Sequence, residues 1–360
     1  MDERWQRAQR ILVIRLDNLG DVILATPAIH AIRARLPSAR LTLLASPSGA
    51  QVAALDPDLD DVIVYRAPWM DPDCLLSQDP SREASMIAQL RRRGFDGAII
   101  FTSYHQSSLP AAFLAYQAGV PLRHAASIDG PGSLLTSRHR HPEKMMHEVE
   151  RGLDLVSGLG FEPSGDDLRI EPSAVDRVRI EALIEGRRAE GPVVVIHPGC
   201  ACPSRTYPSD RYVEVARVLQ QELAAQIIWT GTTSDAPIVE QIRRALDNPG
   251  ISLVGQTSLS ALAALLAEAD LAITNNTGPM HVAAAVHTPV VVLFALTNPP
   301  AEWHPWKVPH RLLNQPVDCA ICYNRICPNE QKCLRDVSID NVVQAVIDLL
   351  PSRRSARGAA

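Results

Sequence analysis

The sequence predicts two doubly wound α/β domains, and three observations carry that prediction. Short apolar runs of strand length alternate with helical patterns, as they do in parallel sheets with crossover helices. The alternation occurs twice, and the polar stretches FEPSGDD and AEGP interrupt it midway. The chain of 360 residues exceeds one ordinary compact domain and suits two.

The first alternation predicts strands at Ile11–Leu16, Leu41–Ala45, Val62–Tyr65 and Gly97–Phe101. Its helices fit Val22–Leu36, Glu83–Arg93, Pro110–Ala118 and Glu148–Leu159, the last stopped by Gly160. One helix, about Ser173–Arg188, fits the connector. The second alternation predicts strands at Val193–His197, Gln226–Thr230, Ile251–Val254, Leu271–Thr274 and Val290–Phe294. Its helices fit Ser209–Leu223, Ala236–Leu246, Ser258–Glu268 and Met280–Val286, and Ile339–Leu350 closes the chain as an amphipathic helix. The expected domains are therefore 1–170 and 191–337, with 171–190 as connector and 338–360 as terminal helix and tail. Ligands of such sheets bind beyond the carboxyl ends of the strands.

Bulk properties exclude several classes. Hydrophobic residues make up 46% and charged residues 21%, which argues against disorder. The net charge of −5 gives no nucleic-acid footprint, so no nucleic acid is expected as a partner. No secretory signal is visible, and no run approaches the roughly 20 apolar residues of a spanning helix. A cytoplasmic location with mostly reduced cysteines is the expectation.

Four strand-end segments carry candidate chemistry. Arg15-Leu16-Asp17-Asn18-Leu19-Gly20-Asp21 lies where the first strand meets the first helix. Asp21 reads there either as a helix cap or as a general base, with Gly20 allowing a tight turn. His197-Pro198-Gly199-Cys200 leads to Arg205, which reads as a phosphate clamp or as a surface arginine before a helix. Thr274-Asn275-Asn276-Thr277-Gly278-Pro279-Met280-His281 offers backbone amides at a helix start and the Thr277 hydroxyl to an anion. His281 reads equally as a core histidine. Thr230-Gly231-Thr232-Thr233-Ser234-Asp235 has a turn and an acid suited to a ribose, or a simple cap at Asp235. A P-loop lysine pattern, a spaced-glycine dinucleotide fingerprint and a Gly-x-Ser-x-Gly elbow are all absent from the sequence.

Taken together, RLDNLGDVILATPAIHAIRARLP, VVIHPGCACPSRTYPSDRY, LVGQTSLSALAALLAEADLAITNNTGPMHVAAA and HTPVVVLFALTNP resemble the ADP-heptose–lipopolysaccharide heptosyltransferases, glycosyltransferase family nine. The match runs from about Ile11 to Asn298. The resemblance implies a GT-B fold, two Rossmann-like domains facing a central cleft. It implies an inverting, metal-independent sugar transfer with no cofactor required. ADP-heptose would be the donor, and the acceptor a saccharide or lipid-linked glycan such as the lipopolysaccharide inner core. A lipid-linked acceptor would bring the protein to the periphery of the inner membrane.

By the same resemblance Asp21 is the base, with Arg15, Asn18 and Gly20 on the acceptor side. Arg205, Thr277, Gly278, Pro279, Met280 and His281 hold the donor phosphates, Asn276 the donor sugar, and Thr230, Gly231 and Asp235 the nucleotide. Acceptor choice is expected from the 67–81 loop, His105 to Ser108 and the basic Arg138 to Lys144.

The sequence departs from the family pattern at three of these places. Arg205 stands where lysine is usual and Tyr207 where tryptophan is usual. Asn276 replaces the aspartate before Thr-Gly that is associated with donor-sugar hydroxyls, and asparagine carries no charge and adds a donor. A different nucleotide-sugar, an acceptor other than lipopolysaccharide, or a catalytically silent nucleotide-sugar-binding protein are therefore the competing readings. Cys319, Cys322, Cys327 and Cys333 read as ligands of a structural zinc or iron–sulfur cluster, as reduced cysteines, or as a disulfide pair.

Overall fold

The computed structural model describes residues 3–71, 73–77, 79–185 and 191–350. The chain divides into two compact units, Met1–Ile170 and Glu171–Ala360, and each contains one six-stranded, wholly parallel sheet.

In the first unit the strands are β1 Arg10–Arg15, β2 Arg40–Ala45, β3 Asp61–Val64, β4 Gly97–Ile100, β5 Leu122–Ala126 and β6 Ser137–His139. Their order is β3-β2-β1-β4-β5-β6, so the chain reverses its direction of sheet growth between β1 and β4. That reversal opens a crevice at the strand ends. β1 and β4 are buried throughout apart from Arg10, which is why they read as unbroken apolar runs. The Leu19–Arg35 helix follows β1 and packs on the Glu148–Ser157 helix. Gly152 makes that approach close: a Cβ there would lie 3.5 Å from Ala28 Cβ.

β5 and β6 escape the sequence pattern because polar side chains occupy them. Arg123 on β5 is buried and spends its guanidinium on the carbonyls of Val120, Ser133 and Leu134. His124 lies between Ser137 Oγ and the Leu155 carbonyl, at 3.0 and 2.9 Å. The expected loop at 67–81 contains a 3-10 turn, Pro68–Met70, and the next helix starts early, at Pro80, because Asp79 accepts from Ser81 N.

The second unit has strands β7 Val193–His197, β8 Gln226–Trp229, β9 Ile251–Ser252, β10 Leu271–Asn275, β11 Val290–Leu293 and β12 His310–Leu313, in the order β12-β11-β10-β7-β8-β9. The reversal here falls between β7 and β10. β12, HRLL at the sheet edge, is too short and polar to stand out in sequence. Residues 171–185, read as connector, belong to this unit; they include the Ala174–Ile184 helix, which packs on the Leu259–Glu268 helix. The rest of that expected helix, 186–188, falls among residues the structure does not describe. The Ile339–Leu349 helix buries Val342, Val343 and Val346 in the same core as Tyr212 and Trp229.

Candidate active site

The first site grows from the reversal point of the first sheet. β1 ends on Arg15, a cation delivered into the interior by an apolar strand. Such a charge is tolerable only when paired. Its Nε lies 2.8 Å from Asp17 Oδ2, an ion pair whose angle falls short of a hydrogen bond. Its Nη2 lies 3.3 Å from Asp21 Oδ1 and 3.1 Å from Glu148 Oε2, and donates to Ser103 Oγ at 2.7 Å. One guanidinium thus gathers three carboxylates.

Asp21 differs from the other two. Its side chain keeps 12% exposure, against 5% for Asp17 and 2% for Glu148. Its Oδ2 accepts from Asn18 N at 3.0 Å, and Ser103 Oγ reaches its Oδ1 at 3.4 Å. Asn18 is therefore the cap of the Leu19–Arg35 helix, with Asp21 as third helical residue, bonding back to the cap position. This corrects the reading of Asp21 as the cap itself. Gly20 is corrected too: it lies buried in the first helical turn, and no tight turn needs it. Arg15 is likewise a buried clamp on carboxylates and has no exposed face for an acceptor.

Burial pushes the Glu148 carboxyl up to about 7, against the pull of Arg15 and Arg151. Burial raises Asp17 to about 6, opposed by Arg15 and helped by Asp21. Burial alone would lower Arg15, but Asp17, Glu148 and Asp21 hold it above its usual value. Burial thus holds both inner carboxyls above the usual carboxylate range, while Asp21 is the carboxylate that meets the outside. Asp21, Leu24, Phe101, His141, Glu148 and Arg151 line one concavity. Arg151 stacks its guanidinium 3.9 Å from the centre of the Tyr104 ring.

Sequence reasoning missed Glu148 and Ser103, and took Asp17 only as part of a segment. Glu148 is 133 residues from Arg15, and only the folded topology joins them. Gln106, expected to touch an acceptor, instead donates from Nε2 to Asp17 Oδ1 and accepts at Oε1 from Ser103 N. Arg138, expected in the same role, donates to the Ser127 and Ile128 carbonyls.

The second site lies at the reversal point of the second sheet. Asn275, fully buried at the end of β10, donates to the Pro198 carbonyl at 2.7 Å. Its Oδ1 accepts from Tyr207 N and the Tyr212 hydroxyl. It locks the β7 and β10 loops together, and its polar atoms are satisfied by doing so. Arg205 donates from Nε to Thr297 Oγ1 at 2.9 Å, and its two terminal nitrogens carry no hydrogen-bond partner among the described residues. Cys200 lies beside both Arg205 and the Thr277 hydroxyl. Thr277 is the N-cap residue of the Gly278–Ala285 helix, so its hydroxyl lies beside the first amides of that helix, with Arg205 in the surroundings of the same Cys200. This is a set of donors suited to an anion.

Other expected ligands of this site are committed elsewhere. Pro279, Met280 and His281 are buried, and burial pushes His281 down to about 3, so it is neutral. Thr230 is fully buried with its hydroxyl on His197 Nδ1, at 3.1 Å. Asp235 Oδ2 bonds Thr232 N and Oγ1, both at 2.7 Å, which makes it a turn-stabilising acid. A Cβ on Gly199 would stand 2.3 Å from the Asp235 carboxyl carbon, so these two loops meet without space for a side chain. Asn276 is turned inward: its Oδ1 accepts from Ala295 N at 3.1 Å and its Nδ2 donates to Asn298 Oδ1 at 3.1 Å. Tyr207, in place of the usual tryptophan, is buried with its hydroxyl on the Val337 carbonyl.

The four C-terminal cysteines, Cys319, Cys322, Cys327 and Cys333, lie in one segment of the second unit. All seven cysteines are free, and no three of their Sγ atoms lie within 4.8 Å of one another. Cys319, Cys322 and Cys327 all lie near enough to Cys333 to act on its thiol, and no chemistry is derived from a metal there. The backbone of the segment forms a strap. Cys322 N and Tyr323 N donate to the Leu296 and Thr297 carbonyls, Ser204 N donates to the Arg325 carbonyl, and Ser204 Oγ to the Asn324 carbonyl. The strap therefore braces the loops that carry Arg205 and Thr297.

A family model described as glycosyltransferase family 9 (heptosyltransferase) matches residues 84–333. A putative glycosyltransferase of Haemophilus influenzae is 26% identical over 360 residues, covering 94% of this chain and 96% of its own. A family 9 glycosyl transferase from Veillonella parvula has the same fold, with a TM-score of 0.79, 22% identity, and 95% and 97% of the two chains covered. An E. coli ADP-heptose lps heptosyltransferase II aligns with a TM-score of 0.74 at 21% identity, covering 94% and 98%. The two parallel sheets are thus those of a GT-B-like heptosyltransferase fold. The chain belongs to glycosyltransferase family 9, the heptosyltransferase family.

Proposed function

We propose that the protein transfers a sugar, heptose from ADP-heptose, to a saccharide hydroxyl such as one of the lipopolysaccharide inner core, with inversion at the anomeric carbon. The observation that carries the proposal is Asp21: a carboxylate fixed by Arg15 and Asn18 N at a strand-end crevice, and the most exposed of the three. The similarity to an E. coli enzyme whose name includes ADP-heptose and lps supports the substrates.

Asp21 takes the proton from the acceptor hydroxyl as that oxygen attacks the anomeric carbon. The bond from the anomeric carbon to the phosphate oxygen breaks on the opposite face, and the nucleoside diphosphate leaves with the electron pair. The transition state is oxocarbenium-like. Arg205, Thr277 and the Gly278 amide take up the charge that gathers on the leaving diphosphate. No step needs a metal or a cofactor. A lipid-linked acceptor would bring the protein to a membrane surface; among the described residues no helix is long and apolar enough to cross one.

The inward pairing of Asn276 favours a second reading, a donor sugar other than heptose, because the side chain associated with sugar hydroxyls is occupied. Incubation with ADP-heptose, other ADP-sugars and UDP- or GDP-sugars, read by product mass on a truncated core acceptor, separates the two. Nucleotide binding without turnover of any donor would leave a silent binding protein. Asp21→Asn should lower turnover by about 10²–10⁴-fold with donor affinity retained. A near-parental rate in that variant refutes the base assignment.

A further inference from the structure

A second cluster in the first unit takes no part in the proposed transfer. β6 ends on His139, and His141 follows two residues later, so the two share one side of an extended segment. Both rings point at one residue of the Glu148–Ser157 helix. His139 Nε2 lies 2.6 Å and His141 Nδ1 2.7 Å from the same oxygen, Asp154 Oδ2. The three ligand atoms lie within 4.8 Å of one another, and among the described residues this is the only such group of three or more. The ring centroids are 4.9 Å apart with an interplanar angle of 75°, so the rings do not stack, and the two nitrogens that now donate to Asp154 converge on one point where, deprotonated, they would offer lone pairs.

We propose that His139, His141 and Asp154 form a binding site for a late first-row divalent cation such as Zn²⁺. Two imidazoles and one carboxylate are the ligand set such ions favour over the hard cations Mg²⁺ and Ca²⁺. Three protein ligands leave a coordination position for water.

The surroundings suit an ion held in place. The three side chains are 14–28% exposed, reachable by solvent and partly shielded from it. A Cβ on Gly158 would stand 2.6 Å from His139 Nδ1, so the glycine leaves room for the ring in this orientation. His124 lies behind it, ring centroids 6.2 Å apart, and its own nitrogens are spent on Ser137 and the Leu155 carbonyl. The charged neighbour is Arg151, which acts on His141 and stacks on Tyr104. The ion would join the end of β6 to the helix that carries Glu148 and Arg151, and His141 lines the same concavity as Asp21. Its role is to hold that wall, as structural metals do.

The test uses the full chain after chelator treatment, titrated with ZnCl₂ and, as control, MgCl₂. Free thiols are zinc ligands in general, so equivalents bound are compared between the parent and Asp154→Asn, His139→Gln and His141→Gln. The expected result is one equivalent lost, or its affinity weakened at least tenfold, in each variant, with Mg²⁺ unbound. Saturating Zn²⁺ should raise the parent's unfolding temperature by on the order of 5 °C more than that of Asp154→Asn. Asp154→Asn keeps the side chain's shape, and it decides the matter if a histidine variant fails to fold. Equal zinc equivalents and equal thermal shifts in the parent and Asp154→Asn would overturn the proposal, whether or not the protein transfers sugar.

Discussion

Replacing Arg15 with methionine should damage the protein far more at alkaline than at acidic pH. Methionine keeps much of the apolar stem and removes the cation that faces Asp17, Asp21 and Glu148. Breaking a buried ion pair typically costs about 3–5 kcal/mol, because the remaining charges are left uncompensated. Asp17 and Glu148 already titrate at about 6 and 7, above the usual carboxyl range, because of burial. A carboxyl raised on folding contributes stability that is present below its unfolded value and lost as pH rises through its folded value. Arg15 is the largest influence opposing that rise at both residues, so its loss pushes both values higher. At pH 8 the variant must either hold bare carboxylates or take up protons against the solution, and the full cost appears. At pH 5 the two buried groups bind protons readily, and the cost should fall to about 2 kcal/mol or less, since each unit of pKa shift is worth about 1.4 kcal/mol. Thermal or urea unfolding of parent and variant at pH 5 and pH 8 measures the difference. An equal loss at both pH values, or a larger one at pH 5, would refute the account of Arg15 as the clamp of this cluster.

Three further outcomes follow from the second unit. Arg205→Ala should weaken nucleotide-sugar binding by about 10–100-fold, the worth of a hydrogen bond to a charged group, and calorimetric titration would expose an unchanged affinity as a failure. Gly199→Ala should destabilise by about 1–3 kcal/mol, because the new methyl overlaps the Asp235 carboxyl and the turn it stabilises; a parental unfolding temperature would contradict that overlap. Asn276→Asp should lower stability by about 1–3 kcal/mol at neutral pH, because a carboxylate cannot donate to Asn298 Oδ1; the loss should shrink under acid, where a protonated carboxyl can donate again, and a pH-independent or absent loss would count against it.

The parallel sheets were legible because strands buried on both faces must be apolar along their whole length. Val193–Ile196 and Leu271–Ile273 show this plainly, each buried at every position. Leu122–Ala126 obeys the same burial but carries Arg123 and His124, whose partners at Ser133, Ser137 and Leu155 exist only after the fold has formed. Periodicity is blind to such strands, since it assigns polarity to the residue and not to its solvation. The sites divide in the same way. Asp21 and Arg205 stand in short segments at strand ends, where chain order alone places them. Glu148 begins a distant helix, and its sequence neighbours explain it adequately as an acid at a helix start. Asn275 was visible as a polar residue after an apolar strand, yet its task of tying Pro198 to Tyr207 and Tyr212 needs three loops at once.

Asn276 shows how a departure from a family pattern gains meaning from its contacts. In sequence it is a lost charge at a place associated with sugar hydroxyls. In the folded unit both ends of its amide are used, one accepting from Ala295 N and the other donating to Asn298. Aspartate could make the first contact and, when ionised, not the second. Asn298 Oδ1 also faces the Thr297 hydroxyl, and Thr297 in turn takes the Nε of Arg205. The amide at 276 is therefore linked through Asn298 and Thr297 to Arg205, the cation proposed for the diphosphate. Beside a change in which sugar is gripped, the contacts support a second role for the amide, bracing the arginine that stands in place of lysine. A planar guanidinium needs its fork aimed, and Thr297 aims it. If Asn276 braces Arg205 and does not select the sugar, Asn276→Ala separates the two roles. It should loosen donor binding for every nucleotide-sugar by a similar factor, whereas a residue that selects the sugar would change the ranking among them.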